Sequence, residues 1–326
     1  MITLYKVEKN KLITLKKGDV LPLIKSGIWI DISSPTPEIL LTISKRTKIP
    51  YAFLATALDP EESGRVDSEG SNTLIVLDCP VEKVVDDKKG MHTDYETAPF
   101  IIVYNTKVYI TIHRDDIRLT DLVVSRTKNI ETSKHVRMSL YFFMTLAQQF
   151  ISDLKNIDKI SKDIETKLHG SQKNKELFEL MELNKMLVYF STALNANKNV
   201  IEKLKRSKEY NKYEEDFDLI EDVQVEMNQA NEMCSIYRDI LAGMMDAFAS
   251  IISNNLNIVM KTLAIVTIAI SFPTLVASFY GMNVGINQMP FVNDPNAFWI
   301  IVGFSSGLAL IIGIALFVND FFKKRH

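Results

Sequence analysis

The sequence predicts an α+β protein with a mixed α/β domain at the N-terminus, long antiparallel stalk helices, and two transmembrane helices at the C-terminus. Two observations predict this architecture. The 38 Lys and Arg and the 40 Asp and Glu are concentrated in residues 1–261, whereas from Thr262 to Asn319 the one charged residue is Asp294. Apolar residues in the middle of the chain recur every three or four positions, which is the period of an amphipathic helix.

The composition excludes several classes of protein. A formal charge of −2 gives no reason to expect a nucleic-acid partner. Cys79 and Cys234 are far apart and belong to no CxxC pair, so neither a disulfide framework nor a metal knuckle is expected. The five histidines are scattered, and the sequence contains no GxGxxG, Walker A or HExxH motif. We therefore expect neither an enzyme nor an organic cofactor.

Residues 1–131 are predicted to form the α/β domain. Helices are expected at 36–48 and 117–130, with Pro50 limiting the first. Asn105-Thr106 separates the last two strands as a hairpin turn does. Strands are expected at 2–7, 11–15, 28–32, 73–79, 99–104 and 107–113. The chain does not open with a basic head and an apolar stretch, so no cleaved signal peptide is expected and this domain is placed in the cytosol.

Residues 132–256 are predicted to form the helical stalk. A first helix ends in a turn at His169-Gly170-Ser171, a second helix covers 173–206, and 207–216 is an exit loop. The third helix meets no proline until Pro273, so it is expected to continue into the membrane. Its apolar residues alternate steps of three and four, the heptad pattern of a packed helix: Ile220, Val223, Met227, Ala230, Cys234, Tyr237, Leu241, Met244, Phe248 and Ile251.

Residues 257–326 are predicted to form a two-span membrane domain with a short basic tail. The charge-free runs 262–280 and 297–318 each make roughly 30 Å of helix, the thickness of the hydrocarbon core of a bilayer. Two buried core helices are the weaker alternative. Lys and Arg flank the pair of spans, and the connector 281–296 has none. The positive-inside rule therefore places both termini in the cytoplasm of a multi-pass cell-membrane protein.

A second stripe on the third helix is mostly polar and continues into the first span. Lipid does not favour such a face, so it is expected to line a helix interface or a water-filled path. The alternative is that the hydroxyls bond back to their own helix. A protomer with two spans cannot enclose a pore, so a pore requires an oligomer. The stripe consists of Asp246, Ser250, Ser253, Asn257, Met260, Ala264, Thr267, Ser271, Thr274 and Ser278.

The motif Tyr280-Gly281-Met282-Asn283 follows the first span directly. A Gly-Met-Asn motif after the first of two C-terminal spans, with a charged tail behind the second, resembles the CorA family of magnesium transporters. The resemblance covers the whole chain and implies a homopentamer whose first spans surround a central pore. It assigns Gly281, Met282 and Asn283 to the selectivity filter. Gly281 would allow a backbone turn, and Asn283 would hold a hydrated Mg²⁺ through its water shell.

The resemblance also implies roles for residues below the filter. Asn257 corresponds to a polar ring of the lower pore, and Met260 and Leu263 to its apolar constrictions. Asp246 corresponds to an acidic ring at the cytoplasmic mouth. Asp222 corresponds to a carboxylate of the inter-subunit site through which cytosolic Mg²⁺ closes the pore, so Mg²⁺ is expected both as cargo and as regulator. The expected pore lining is Asp246, Asn257, Met260, Leu263, Thr267, Ser271, Thr274 and Ser278.

Two positions depart from the family pattern. Members of the family often carry an acidic residue after Met-Pro in the outer loop, but Phe291 follows Pro290 here, and the nearest carboxylate is Asp294. Ala55 stands where a regulatory aspartate is expected. The candidate substitutes are Asp59, Glu61 and Glu62.

The leading hypothesis is a passive channel that conducts Mg²⁺ inward, with Co²⁺ and Ni²⁺ as further cargo, and that cytosolic Mg²⁺ gates. A second transporter hypothesis is a ZntB-type zinc carrier, whose motif usually has Ile at the position of Met282. A different class is a membrane-anchored sensor or scaffold in which the α/β domain binds a partner. Ion flux into proteoliposomes separates the transporters from the sensor.

Overall fold

The computed structural model describes residues 1–8, 11–17, 27–87, 90–114, 116–170, 174–210, 212–282, 290–291 and 294–323. The chain falls into two compact units, Met1–Met245 (unit 1) and Asp246–His326 (unit 2). Among the described residues, two helices are long and apolar enough to cross a membrane, and they are Glu214–Tyr280 and Ala297–Ala315. The three-part division expected from the sequence remains a prediction.

The described part of unit 1 contains one seven-stranded sheet. Its strands are β1 (Ile2–Glu8), β2 (Lys11–Lys17), β3 (Ile28–Ser33), β4 (Arg65–Glu69), β5 (Asn72–Asp87), β6 (Gly90–Tyr104) and β7 (Val108–His113). The order across the sheet is β2-β1-β3-β7-β6-β5-β4. β3 and β7 run parallel, and the other pairs are antiparallel.

The predicted hairpin between the last two strands is confirmed. β6 and β7 pair antiparallel on either side of Asn105. The Asn105 Oδ1 accepts hydrogen bonds from the backbone N–H groups of Lys107 at 2.9 Å and Val108 at 3.2 Å. An asparagine side chain that satisfies the backbone donors of its own turn is the reason this residue type marks turns.

The predicted strands 73–79 and 99–104 are too short. β5 and β6 stay paired far beyond them, as far as Asp87 opposite Gly90. Cross-strand pairing in a long ribbon thus overrides the low strand propensity of the Pro and charged residues in this part of the sequence. The sequence also missed β4, because a charged edge strand lacks apolar alternation.

The helices are α1 (Pro37–Thr47), α2 (Tyr51–Ala55), α3 (Leu119–Arg126), α4 (His135–Gly170), α5 (Asn174–Lys205), α6 (Glu214–Tyr280) and α7 (Ala297–Lys323). α1 matches its prediction because the Thr36 hydroxyl caps it, accepting from the Ile39 N–H at 3.4 Å. The helix predicted at 117–130 is shorter, and the short α2 was not predicted. α4 extends through Gly170, so the turn expected at 169–171 is wrong in its first two positions, and residue 171 lies outside the described part.

Aromatic side chains fill the space between the sheet and α4. Trp29 of β3 is fully buried and packs edge-on against Phe142 of α4, with ring centroids 5.6 Å apart. Its indole N–H donates to the Thr111 hydroxyl at 2.9 Å, so burial leaves no unpaired donor there. Ile30 and Ile32 alternate to the opposite face, where they join a core with residues of α1 such as Ile43.

Two of the long helices, α5 and α6, run antiparallel to each other. α6 begins at Glu214, two residues before the end of the exit loop that the sequence predicts. Side-chain contacts show α5 antiparallel to α6, because residue numbers rise along one helix as they fall along the other. The contacts are Leu187–Cys234 (3.4 Å), Asn195–Asn231 (3.2 Å) and Lys205–Glu221 (3.0 Å).

The predicted apolar seam of α6 is buried over most of its length. Ile220, Val223, Met227, Ala230 and Cys234 have no exposed surface. Leu241 and Phe248 are also buried, whereas Tyr237 and Met244 are partly exposed. The seam is wrong at its end, since Ile251 is 41% exposed in the protomer. The heptad pattern therefore predicts the packed part of α6 but not where packing within the protomer stops.

A buried asparagine fixes α5 to the sheet. The Asn197 side chain accepts from the backbone N–H of Asp78 at 2.9 Å and donates to the Asp78 carbonyl at 2.8 Å. The backbone at Gly64 also approaches α5 closely here, since a Cβ on Gly64 would lie 3.1 Å from the Ala196 Cβ. Asn197 therefore takes the place of a neighbouring strand for both backbone groups of Asp78.

We predict that Asn197→Ala lowers the free energy of unfolding by about 1–3 kcal/mol, because two backbone groups lose their partner in a buried site. Thermal unfolding of the detergent-solubilised chain measures the change. Asn195→Ala is the control, since that side chain bonds Asn231 in an exposed position on the same helix. Equal losses for both variants would contradict the assignment.

Candidate functional site

The polar stripe of α6 is exposed along its whole length in the protomer. Each of its ten members, from Asp246 to Ser278, is accessible. The apolar residues on the other faces of this segment are mostly exposed as well, so chemical character and not exposure distinguishes the stripe. The stripe provides hydroxyl and carboxamide oxygens, and between Leu263 and Phe279 the other faces of the helix carry apolar side chains.

Hydroxyl groups in the span bond back to their own helix, as the alternative interpretation of the sequence required. Thr267 donates to the Leu263 carbonyl at 2.8 Å, Ser271 to the Thr267 carbonyl at 2.7 Å, and Thr274 to the Ile270 carbonyl at 3.0 Å. A hydroxyl has one hydrogen to donate and two lone pairs to accept with. These bonds use the hydrogen, so each oxygen remains as an acceptor on the exposed face of α6.

An open groove lies on α6 and includes Thr267, the first of these hydroxyl residues. Met260 and Leu263 are 68% and 65% exposed in the protomer, as are many other large apolar side chains of the two spans. The other residues of the groove are Ala264, Thr267 and Ile268. The predicted constriction residues and the first pore-lining threonine thus share one continuous surface.

The predicted filter lies only partly within the described residues. α6 ends at Tyr280, and the Gly281 N–H bonds the Ala277 carbonyl at 3.0 Å. Gly281 does not have a positive φ, and a Cβ there would meet the Ala277 oxygen at 3.4 Å, an ordinary contact. The turn expected at Gly281 is present directly after the helix, and it does not use the left-handed conformation that glycine tolerates best. Met282 is described and 52% exposed, whereas Asn283 lies outside the described residues.

The acidic segment at the start of α6 divides into paired and unpaired carboxylates. Asp218 and Asp222 are exposed, and each makes no ion pair within the part of the chain that the structure describes. They are four residues apart and so share one face of the helix. The sequence did not reveal this division, because one of the partners, Arg137, is distant along the chain. The ion pairs are Arg137–Glu215 (2.6 Å), Arg137–Asp216 (2.7 Å) and Lys205–Glu221 (3.0 Å).

The positions from which the sequence analysis expects partners for Asp222 at the regulatory site differ in what their side chains contact. Ala55 is the last residue of α2 and offers no ligand oxygen in its side chain. Glu62 forms an ion pair with Arg65, and the Asp59 Oδ1 accepts the backbone N–H of Glu61 at 2.9 Å. In the described part of one protomer, no group of three or more His, Cys, Asp or Glu could hold a metal ion.

Two carboxyl groups with raised pKa values lie away from the polar stripe, in unit 1. Burial raises the pKa of Asp153 on α4 to about 7, and the neighbouring Glu82 carboxylate raises it further. Burial raises the pKa of Asp78 to about 6, although the Gly64 N–H that donates to its Oδ2 acts in the opposite direction. Both groups lie where helices cover the β5–β6 ribbon, and neither is a predicted site residue.

Known proteins resemble this chain along most of its length. The model of a family described as "CorA-like Mg2+ transporter protein" matches residues 25–324. The cobalt/magnesium transport protein CorA of Methanocaldococcus jannaschii is 28% identical over 327 residues, which cover 98% of each chain. The complete structure of the CorA magnesium transporter from the same organism has a TM-score of 0.76 at 24% identity, covering 98% of this chain and 96% of that one.

A more distant likeness is to a structure that comprises one domain of another protein. The cytoplasmic domain of ZntB from Vibrio parahaemolyticus has a TM-score of 0.57 at 12% identity and covers 78% of this chain and 97% of that one. At this level of identity the match shows a shared fold and carries no information about the ion.

We predict that Asp153→Asn stabilises the protein at pH 8 by on the order of 2 kcal/mol and has little effect at pH 4. The raised pKa means that the unfolded chain loses this proton from about pH 4, whereas the folded protein holds it until about pH 7. The aspartate therefore disfavours folding increasingly between these values. Thermal unfolding across this pH range measures the difference, and a benefit that is equal at both ends would contradict it.

Proposed function

The chain belongs to the family of CorA-like Mg²⁺ transporter proteins, and from this premise we propose that it conducts Mg²⁺ passively into the cytosol. The observation that supports this most is the exposed row of hydroxyl acceptors on the apolar part of α6. Hydrated Mg²⁺ presents outward-pointing water hydrogens, which need acceptors rather than donors. Co²⁺ and Ni²⁺ carry the same charge and similar hydration shells, so they are proposed as further cargo.

The pore is proposed to form in a homopentamer. One α6 cannot surround an ion, but a cyclic assembly repeats each stripe residue as a ring. The number five comes from the family resemblance. Such an assembly would turn the exposed groove around Met260 and Leu263 toward the axis of the pore. The rings of Met260 and Leu263 would form an apolar constriction that closes by dewetting.

Orientation follows from the distribution of basic residues. The connector 281–296 carries neither Lys nor Arg, whereas Lys261 precedes the first span and Lys323 follows the second. We therefore place both termini in the cytoplasm and the Gly-Met-Asn motif outside. In this orientation the membrane potential drives entry, because a divalent cation gains roughly 4.6 kcal/mol per 100 mV.

Selectivity is proposed to reside in the ring of Asn283. Carboxamide oxygens are neutral acceptors that can bind the water shell of Mg²⁺ without stripping it, and Mg²⁺ releases water reluctantly. Asn257, four residues before Lys261, would provide a second carboxamide ring near the cytoplasmic end. Zinc carriage has less support, because the motif here contains Met282.

Gating is proposed to depend on the exposed carboxylates of α6. Asp222 has no internal cation to neutralise it in the described protomer, so carboxylates of neighbouring subunits would repel unless a divalent cation lies between them. Bound Mg²⁺ would then favour the closed ring, by mass action. Asp246 would add negative charge at the cytoplasmic mouth. Asp59 and Glu61 are the exposed candidates for further ligands.

We predict that Asn283→Ala lowers Mg²⁺ uptake into proteoliposomes at least about tenfold, because each subunit loses one acceptor of the ring. A Mg²⁺-sensitive dye inside the vesicles measures uptake, and native mass spectrometry checks that subunit number is unchanged. Asn231→Ala removes a carboxamide from α6 within unit 1 and is the matched control. Wild-type uptake by Asn283→Ala would exclude this residue as the filter.

We predict that Asp222→Ala raises the cytosolic Mg²⁺ concentration needed for half-inhibition by about threefold or more, since weakened regulatory binding no longer favours the closed ring. Channel currents recorded with graded Mg²⁺ on the cytosolic side measure it, and the order of permeant ions should not change. Asp239→Ala removes another exposed carboxylate of α6 as a control. Identical inhibition curves for the two variants and the wild type would remove Asp222 from the gating mechanism.

A further inference from the structure

The first apolar span lacks one hydrogen bond of its backbone. Pro273 lies inside α6 and has no N–H, so the carbonyl of Ala269 loses the donor that a regular helix supplies. The nearest hydroxyls do not replace this donor, because those of Ser271 and Thr274 donate to other carbonyls of the helix. α6 continues through this point, but it bends most easily between Ala269 and Pro273.

α7 lies against α6 at the residue that has lost its donor. A Cβ on Gly313 would be 3.9 Å from the Ala269 Cβ, which is an ordinary van der Waals contact. A methyl group therefore fits at position 313, whereas a larger side chain has to push the two helices apart. In the hydrocarbon core, lipid offers neither a donor for the Ala269 carbonyl nor a fixed surface, so α7 is the element that can restrain the bend.

The same face of α7 is closed along two further turns. Ser305 and Ala309 precede Gly313 at intervals of four residues, so the three share one face of the helix. Ser305 is 4% exposed and Ala309 is 8% exposed, although most of α7 is open to its surroundings in the protomer. Small side chains thus allow close packing of α7 on α6 at the level of the missing bond.

The hydroxyl stripe lies on the opposite side of α6 from this contact. Successive residues of a helix are rotated by about 100°, so Ala269 is roughly 160° from Thr267 and from Ser271. α7 therefore supports α6 from behind, and a displacement of α7 is passed to the face that carries the hydroxyl acceptors.

We propose that Gly313 is a positioning residue for the pore lining. The close contact that it permits at Ala269 sets the bend of α6 at Pro273, and the bend sets where the hydroxyls on either side of it lie. The inference rests on the proposed function, in which Thr267 and Thr274 line the ion path. Thr267 precedes the bend and Thr274 follows it, so their separation depends on its angle.

The geometry makes small bends important. A change of about 10° displaces a point seven residues along the helix, about 10 Å away, by roughly 2 Å. A displacement of this size is enough to break a hydrogen bond between a hydroxyl oxygen and the water shell of an ion. A cyclic assembly repeats the displacement in every subunit. The maximal rate of transport should therefore be more sensitive to the α6–α7 contact than the KM for Mg²⁺.

Gly313→Val tests the contact in proteoliposomes loaded with a Mg²⁺-sensitive dye. We expect the maximal rate to fall about three- to thirtyfold, with KM for Mg²⁺ within about twofold of wild type. Gly313→Ala should stay within about twofold of wild type in both values, because its methyl group fits. Gly307→Val is the matched control, since a Cβ on Gly307 meets nothing within 4 Å. A wild-type rate in Gly313→Val, or an equal loss in Gly307→Val, would overturn the proposal.

A double-mutant cycle with Pro273→Ala distinguishes positioning from general damage to packing. Ala at position 273 restores the N–H and stiffens α6, so the helix no longer depends on α7 for its angle. Gly313→Val should then cost at least about threefold less than it does in the wild-type background. Additive losses would overturn the proposal. If native mass spectrometry shows that Gly313→Val does not assemble, Ala269→Val adds bulk from the α6 side, and the same cycle decides.

Thr274→Val separates this proposal from the proposed function, because it removes a hydroxyl of the stripe and keeps the shape of the side chain. If Thr274→Val transports as wild type does, the assignment of the pore lining fails. If Thr274→Val is impaired and the cycle is additive, the positioning role of Gly313 alone fails. A wild-type chain that carries no Mg²⁺ into the vesicles would contradict the proposed function itself.

Discussion

The cost of placing a divalent cation in the hydrocarbon core of a bilayer is the constraint on which the rest of the structure depends. A helix satisfies its own backbone groups there, so the acceptors for an ion must come from side chains. In the proposed pore, the back-bonded hydroxyls of Thr267, Ser271 and Thr274 on α6 would provide them. Because one helix offers acceptors on one side of an ion alone, the proposed pore needs several copies of the chain.

α6 meets two different environments along a single run of 67 residues. Up to Leu241 its apolar seam is buried against other helices of unit 1, and the antiparallel contacts with α5 set its register. Beyond Phe248 the side chains of the same helix are mostly exposed. The helix itself is continuous through both parts, even past Pro273, so the change lies in what each face contacts.

The charged groups of unit 1 are of two kinds: some are ion-paired or buried, and others are exposed and make no ion pair in the described protomer. Arg137 and Lys205 neutralise carboxylates at the start of α6, and burial raises the pKa of Asp153 and so favours its neutral form. Asp222 keeps an exposed carboxylate without an ion pair in the described protomer. A cation that binds between subunits would find its partners among groups of the second kind, since the first are already compensated.

The sequence by itself determined the two apolar spans, the seam of α6, the β6–β7 hairpin and the family, because composition, period and the Gly-Met-Asn motif are local properties. Tertiary structure decided the full pairing of β5 with β6, the edge strand β4 and the hydrogen bonds of the Asn197 side chain to the backbone of Asp78. It also decided which acidic residues are paired. These features depend on groups from distant parts of the chain, and such groups leave no periodic signal in the sequence.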